Sequence, residues 1–381
     1  MAGLEEKLCP VCFQEAMEHG ECRNCGYHAE ESSAVKDYLA PFTILKEKYL
    51  LGKSLGQGGF GITYLAENMQ SGLRCCIKEY FPSGLLQGRT PDGALILADE
   101  ENRPEYEEGK QQFIEEACAL QELRENISVV DILDFFEENG TAYFAMELIE
   151  GCNLRVFRKN HNPKQTLKMA LQMLFLLGSS LAEVHRFGMI HGDISPENIL
   201  ITQDGEIKLI DFGAARSFRQ GSDNKERKIY LKPNYAPYEQ YTQKPCQGPW
   251  TDIYALAATF YFIVSGRKML DALSRAKGAS YPPLHELCPA VSRQLSDVID
   301  KALAFDYHDR YRRMLDFLDA LEQVVRPEDY DIDLGALMPK SKASKQAEIH
   351  VETSDDSEKM CQVEEQNMPE PKRLAAFFHP R

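Results

Sequence analysis

The run LLGKSLGQGGFGITYLAE, which begins at Leu50, alternates β-forming residues and is interrupted by Gly56, Gly58, Gly59 and Gly61. Glycines at the tip of such a hairpin let backbone amides close over phosphates without Cβ clashes. Taken alone, the G-x-G-x-x-G spacing is weak evidence, because dinucleotide-binding folds share it. What limits the fold is the next segment. A second strand over residues 62–67 follows the glycines, where a dinucleotide site would begin a helix.

Seventeen residues past Gly61 an apolar strand, CCIKEYF, carries Lys78. After a polar insertion, the helical pattern FIEEACALQEL brings Glu116. It lies three residues after Phe113 and four before Leu120, whose apolar stripe sets the face, with Glu115 as the neighbouring alternative. A lysine on a strand paired to a helix glutamate is a device for holding the α- and β-phosphates of a nucleotide. Burial of that lysine without a partner would be costly, which gives the pairing a structural reason as well. Further on come HGDISPENILI at 191–201 and KLIDFGAAR at 208–216.

These four motifs, in this order, resemble the signatures of the protein kinases. Within that family the chain is similar to the bacterial eukaryotic-like Ser/Thr kinases, over about residues 48–326. The resemblance implies an α+β, two-lobed fold with a β-rich small lobe at 48–147 and an α-rich large lobe at 148–326. It implies ATP and Mg²⁺ as cofactors and protein substrates, the chain itself among the candidates. Asp193 would orient the substrate hydroxyl and accept its proton, Asn198 and Asp211 would hold Mg²⁺, and Lys78, partnered by Glu116, would hold the nucleotide phosphates. Gly56, Gly58, Gly59 and Gly61 would cover those phosphates. Met146, Glu147 and Leu148 match the gatekeeper and interlobe segment, and Cys76 takes the place of the usual adenine-facing Ala. NYAPYEQY at 234–241 resembles the A-P-E segment, with Glu239 expected to pair with Arg310. Asp252 resembles the helix acid that braces the catalytic loop. Ser/Thr is expected over Tyr as acceptor because the DISPEN loop lacks the Arg-rich insert of Tyr kinases.

Two departures from the family pattern matter. His191-Gly192-Asp193 lacks the arginine that receives an activation-loop phosphate, so activity is expected without a phosphate in the 214–235 loop. The catalytic-loop position that is usually Lys is Ser195, and the activation-segment position that is usually Thr is Lys232. These two residue types have exchanged places, and Lys232 is expected to bring its charge to the γ-phosphate from the other side; the alternative is a solvent-facing lysine. The rival from another class is a pseudokinase scaffold that binds nucleotide and partners without efficient transfer. The presence of Lys78, Glu116, Asp193, Asn198 and Asp211 argues against it, while Gly192 and Ser195 keep it open.

Ahead of the kinase-like region, Cys9, Cys12, Cys22 and Cys25 form two C-x-x-C pairs. This spacing predicts a structural Zn²⁺ site, a zinc ribbon at 1–30 with four thiolates and no open position. A redox C-x-x-C would need a βαβ setting that is absent, and His19 and His28 are alternative ligands. Thirty residues bury too little apolar area alone, so the metal would be their core. Glu5, Glu6, Glu15, Glu18, Glu21 and Glu30 outnumber Lys7 and Arg23 there, which disfavours nucleic acid. The whole chain points the same way, with a net charge of -16 over 381 residues.

No stretch reads as a secretory signal, and the apolar runs look too short for a membrane span, so a cytoplasmic protein is expected. The insertion after Lys78 reads as an ordered loop or hairpin. Residues 31–47 read as a linker whose apolar residues pack on the small lobe. Residues 327–381 read as an acidic, disordered tail. Its end, KRLAAFFHPR, reads as a frayed terminus, with a docking peptide as the other reading.

Overall fold

A computed structural model describes residues 7–29, 37–58, 61–122, 128–212, 216–217, 231–242, 246–332 and 334. The chain opens with a small hairpin of β1 (Met17–Glu18) and β2 (Glu21–Cys22), turned by His19 and Gly20, both at positive φ. Then comes an antiparallel sheet built in sequence from β3 (Ile44–Leu45), β4 (Tyr49–Gln57), β5 (Gly61–Asn68) and β6 (Leu73–Tyr80). The insertion folds into a hairpin of β7 (Leu86–Arg89) and β8 (Leu95–Leu97) and leads into α1 (Arg103–Glu122). The sheet is completed by β9 (Ile132–Glu138) and β10 (Thr141–Glu147), giving the order β3-β4-β5-β6-β10-β9.

Strand β6 lies between β5 and β10, so Lys78 sits at the sheet centre, opposite Thr63 and Phe144. The next residue, Glu79, is fully buried, and a buried carboxylate requires partners. Tyr143 and Tyr64 donate hydroxyl hydrogen bonds to it at 2.8 and 3.0 Å, and Arg89 of the insertion hairpin closes an ion pair. Arg89 also donates to the Asp37 and Gly93 carbonyls at 2.6 and 3.0 Å. The insertion is thus clamped to the sheet beside Lys78. The expected linker packs there as well, with Leu39 buried and its amide donating to the Tyr64 hydroxyl at 3.2 Å.

The second lobe begins with β11 (Gly151–Asn153) and α2 (Leu154–Asn160), followed by α3 (Pro163–Arg186). Helix α3 starts where its sequence says it should: Asn162 and Gln165 cap each other reciprocally, and Pro163 needs no amide partner in the first turn. By length and composition α3 could cross a membrane, contrary to the expectation that no stretch would qualify. Half of its most apolar window is buried, as suits a core helix. Three short strand segments, β12 (Met189–Ile190), β13 (Ile199–Thr202) and β14 (Ile207–Leu209), frame the catalytic loop, and β15 (Arg216–Ser217) pairs with β12.

Helix α4 (Pro249–Ser265) is buried on nearly every face from Thr251 to Ile263, which explains its apolar sequence, and it stops at Gly266 with φ 75°. Around it lie α5 (Ala272–Ala276), α6 (Leu284–Leu287), α7 (Arg293–Ala302), α8 (Met314–Glu322) and α9 (Pro327–Tyr330). Ordered packing extends past residue 326, where a disordered tail was expected to begin. Tyr330 stacks on Phe175 at 4.6 Å and Leu334 is buried, so apolar contacts hold this segment. Residues 335–381, with KRLAAFFHPR, lie outside the described residues, as do residues 31–36 of the linker.

Candidate active site

Strands β4 and β5 carry the glycine hairpin to the sheet edge, where the Gly58 amide donates to the Gly61 carbonyl at 2.8 Å. A Cβ on Gly61 would lie 2.5 Å from the Glu79 carbonyl, so only glycine fits between these strands. Gly56, Gly58 and Gly61 occupy the hairpin; Gly59 lies outside the described residues. Cys76 is buried in β6 opposite Leu65 and Met146, and burial pushes its thiol up to about 12. It is therefore a neutral apolar surface.

Glu147 ends β10, and its side chain is committed: it accepts from the Asp131 amide at 3.0 Å and from Lys208 of β14 at 2.9 Å. Lys208, which sequence reasoning passed over, thereby ties the interlobe segment to the catalytic side. Nothing in its local sequence marks its partner.

The expected Lys78–Glu116 pair is not closed. Lys78 donates to Asp211 Oδ1 at 2.5 Å instead, while Glu116 Oε1 is buried with no hydrogen-bond partner. Asp211 is a carboxylate in need of a cation, and the lysine answers it. Burial raises the Glu116 carboxyl to about 8 against the opposing pull of Lys78, whereas Lys78 holds the Asp211 carboxyl well below the ordinary range. The three groups still share one field.

Asp211 sits at φ 64°, in the left-handed region, and Phe212 is buried against His191 with ring centroids 4.3 Å apart. The catalytic loop is held from below by Asp252 of α4. Its Oδ2 accepts from the His191 amide and from His185 Nε2, each at 2.8 Å, and its Oδ1 accepts from the Gly192 amide at 2.9 Å. Gly192 has φ 76°, and its carbonyl accepts from Gln240 Nε2 at 2.8 Å. That contact docks the segment after the activation loop. Glu239 and Arg310 anchor the same segment as a buried fork, with nitrogen–oxygen distances of 2.7 and 3.0 Å. Arg310 also stacks over Tyr254, 4.7 Å from its centroid.

Asn198 Nδ2 donates to the Asp193 carbonyl and to its Oδ2, both at 2.9 Å, which fixes the carboxylate. Lys232 Nζ lies 3.0 Å from Asp193 Oδ2 and 2.9 Å from Ser195 Oγ. The exchanged residues therefore meet beside Asp193, and Lys232 is not a solvent-facing lysine. Burial pulls Lys232 down, but Asp193 and then Asp211 more than reverse it and hold the ammonium above the usual lysine range. Burial raises Asp193, with Lys232 opposing. A shallow cleft lined by Asp193, Lys232, Tyr235 and Gln240 opens next to this carboxylate.

The protein kinase domain family matches residues 49–319. This chain belongs to the protein kinase family. Serine/threonine-protein kinase F of Synechocystis sp. is 31% identical over 286 residues, covering 70% of this chain and 53% of that protein. Serine/threonine-protein kinase PknA of Nostoc sp. is 29% identical over 289 residues, covering 73% and 48%. The chain thus spans about half the length of these curated relatives. Among solved structures, the PpkA-294 apo form is similar with a TM-score of 0.63 at 34% identity, covering 75% of this chain and all of that one.

Outside the kinase fold, the sulfurs of Cys9, Cys12, Cys22 and Cys25 all lie within 4.8 Å of one another. The Cys9–Cys25 and Cys12–Cys22 separations are both 3.6 Å. A tetrahedron with metal–sulfur bonds of about 2.3 Å has edges of about 3.8 Å, so the cluster is sized for zinc. His28 instead lies 3.7 Å from Glu21, and both are more than half exposed. Among the described residues the four thiols form the only such group.

Proposed function

We propose that this protein transfers the γ-phosphoryl group of ATP to Ser/Thr hydroxyls of proteins. The observation that carries the reading is the convergence of Asn198 and Lys232 on Asp193, with Ser195 bonded to Lys232 and Lys78 bonded to Asp211. Asp193 would accept the hydrogen of the acceptor hydroxyl and aim its oxygen in line with the leaving group. Phosphoryl transfer proceeds through a loose transition state, so the work asked of the protein is positioning and charge neutralisation. Mg²⁺, held by Asn198 and Asp211, would neutralise phosphate charge. Lys78 would hold the nucleotide phosphates, with Glu116 in reach to steady it. Lys232 would supply the charge that this catalytic loop lacks at Ser195, from the opposite side of Asp193.

The nucleotide would lie under Gly56, Gly58, Gly59 and Gly61 and against Cys76, Met146 and Leu148, with Glu147 engaged through its backbone. Gly192 offers no side chain to an activation-loop phosphate. Activity would then be independent of phosphate in the 214–235 loop. Residues 1–30 would be a structural zinc ribbon, supported by the size and donor chemistry of the sulfur cluster. Four cysteines without a disulfide among them suit a reducing compartment, and the cytosol would be such a place.

Transfer of labelled γ-phosphate to the protein itself and to a basic substrate tests the reading. Signal from the native chain that is lost in Asp193→Ala is expected. Nucleotide binding without transfer would leave the pseudokinase scaffold.

A further inference from the structure

The four-cysteine module does not stand apart from the kinase lobe. The Pro10 carbonyl accepts a hydrogen bond from the Lys53 amide of β4 at 2.9 Å. At Gly52 the contact is so close that a Cβ would fall 2.2 Å from the Pro10 oxygen and 2.8 Å from Phe13 Cζ. Cys9, Val11, Phe13 and Cys22 form one buried cluster with Leu65, and Leu50, Leu55 and Leu148 pack against it.

The origin of these leucines matters. Leu50 and Leu55 lie on the strand entering the glycine hairpin, and Leu55 directly precedes Gly56. Leu65 lies on the strand leaving the hairpin, and Leu148 directly follows Glu147 at the passage between lobes. The module therefore touches each chain segment that borders the nucleotide on this side.

Its own shape is conditional. Phe13 sits at φ 55°, a region that aromatic residues avoid, and its amide donates to the Cys9 carbonyl at 2.9 Å to close the first knuckle. Gathering Cys9 and Cys12 onto one centre holds this turn. If the centre opens, the backbone relaxes and the ring leaves Gly52.

We propose that the Cys9–Cys12 knuckle is a positioning element for nucleotide binding, fixing β4 and the glycine hairpin against the interlobe segment through Pro10 and Phe13. ATP affinity, more than turnover, then depends on the integrity of the four-thiolate centre. The proposal rests on the kinase and zinc readings above.

The test uses the full-length chain and three perturbations: Gly52→Ala, which forces the knuckle away while leaving all four cysteines; Phe13→Ala, which removes the ring without a clash; and chelation of the native protein. Zinc content, the ATP dissociation constant by calorimetry, and KM against kcat are measured for each. Both variants are expected to retain zinc and to weaken ATP binding by about fivefold or more, the lower range of couplings between sites, with KM rising and kcat unchanged. Chelation of the native chain should give the same weakening, and chelating Gly52→Ala should add nothing. Native ATP affinity in either folded variant, or additive losses on chelating Gly52→Ala, would overturn the proposal. If the native protein holds no zinc and both variants still weaken ATP binding, the knuckle stands as the positioning element and the zinc reading alone is lost.

Discussion

Replacing Lys232 by Thr, while leaving Ser195 in place, removes the one ammonium among the described residues that touches Asp193. At 3.0 Å and an effective dielectric constant near 20, two unit charges interact by about 5 kcal/mol gross. Lys232 and Asp193 are 33% and 23% exposed, so solvent cancels much of this in the resting enzyme. Charge that develops on the transferring group is another matter. Loss of a single preorganised donor aimed at such charge typically costs about 3 kcal/mol, or roughly a hundredfold in kcat. A lysine serving only as a surface brace would be worth about 1 kcal/mol or less, under roughly tenfold. The two roles therefore separate cleanly in a steady-state assay with ATP and a peptide acceptor.

The second half of the experiment moves the charge back. In Ser195→Lys combined with Lys232→Thr, the ammonium starts from a residue whose Oγ is 2.9 Å from the native Nζ. Recovery of at least about tenfold over Lys232→Thr alone is expected, against the hundredfold loss. Burial raises Asp193 and Lys232 opposes it, so losing Lys232 should move the acid limb of the kcat/KM profile to higher pH. Lys232→Thr turning over within threefold of the native enzyme, with only its melting temperature lowered, would refute the reasoning.

Arg310→Ala leaves Glu239 buried and unpaired, and should cost about 3–5 kcal/mol in urea unfolding; Arg310→Lys, unable to fork, should recover only part of it. Glu116 is raised from 4.5 to about 8 by burial, so the native fold binds more protons than the unfolded chain across that window and loses stability as pH rises through it. Glu116→Gln should match native stability near pH 4 and exceed it increasingly up to pH 8, by at most about 1.4 kcal/mol per pH unit; denaturant melts across that range check the sign. Chain carrying Ser217→Ala, Ser222→Ala and Tyr230→Phe should retain γ-phosphate transfer, because Gly192 provides no receptor for a loop phosphate; an inactive triple variant would count against that account.

The two-lobed architecture was legible because its motifs have obligatory spacings: a glycine hairpin must be followed by a strand, and HGDISPEN must precede DFG at the length of a short β-hairpin. The meeting of Ser195 and Lys232 was legible for a different reason, since two residue types exchanged between positions that the fold brings together. Long-range polar partners were not. Nothing around Lys208 names Glu147, and nothing around Arg89 names Glu79, because in each pair the two residues lie in different sheets that only the tertiary packing brings together. The Lys78–Glu116 pair illustrates the limit from the other side. Sequence named Glu116, with Glu115 as the alternative, but not Asp211, which takes the lysine while Glu116 Oε1 stays buried without a hydrogen-bond partner. The docking of the cysteine module on Gly52 was equally hidden, since a glycine in a strand carries no mark of what approaches it.

The clamp between Glu79 and Arg89 sets rules for how this chain can be altered. A carboxylate with no exposed surface, held by two tyrosines and one arginine, cannot lose the arginine cheaply, so trimming the insertion back to a minimal strand-to-helix link would undermine the strand that carries Lys78. The tip of that hairpin, residues 90–94, is different: its side chains are partly or fully exposed. A reporter or affinity tag should be inserted there between Pro91 and Asp92, short of Gly93, whose carbonyl Arg89 holds, where added length costs little more than loop entropy. The same feature that looks dispensable in an alignment of lengths is a fixed point for the catalytic sheet, with a permissive end only a few residues away.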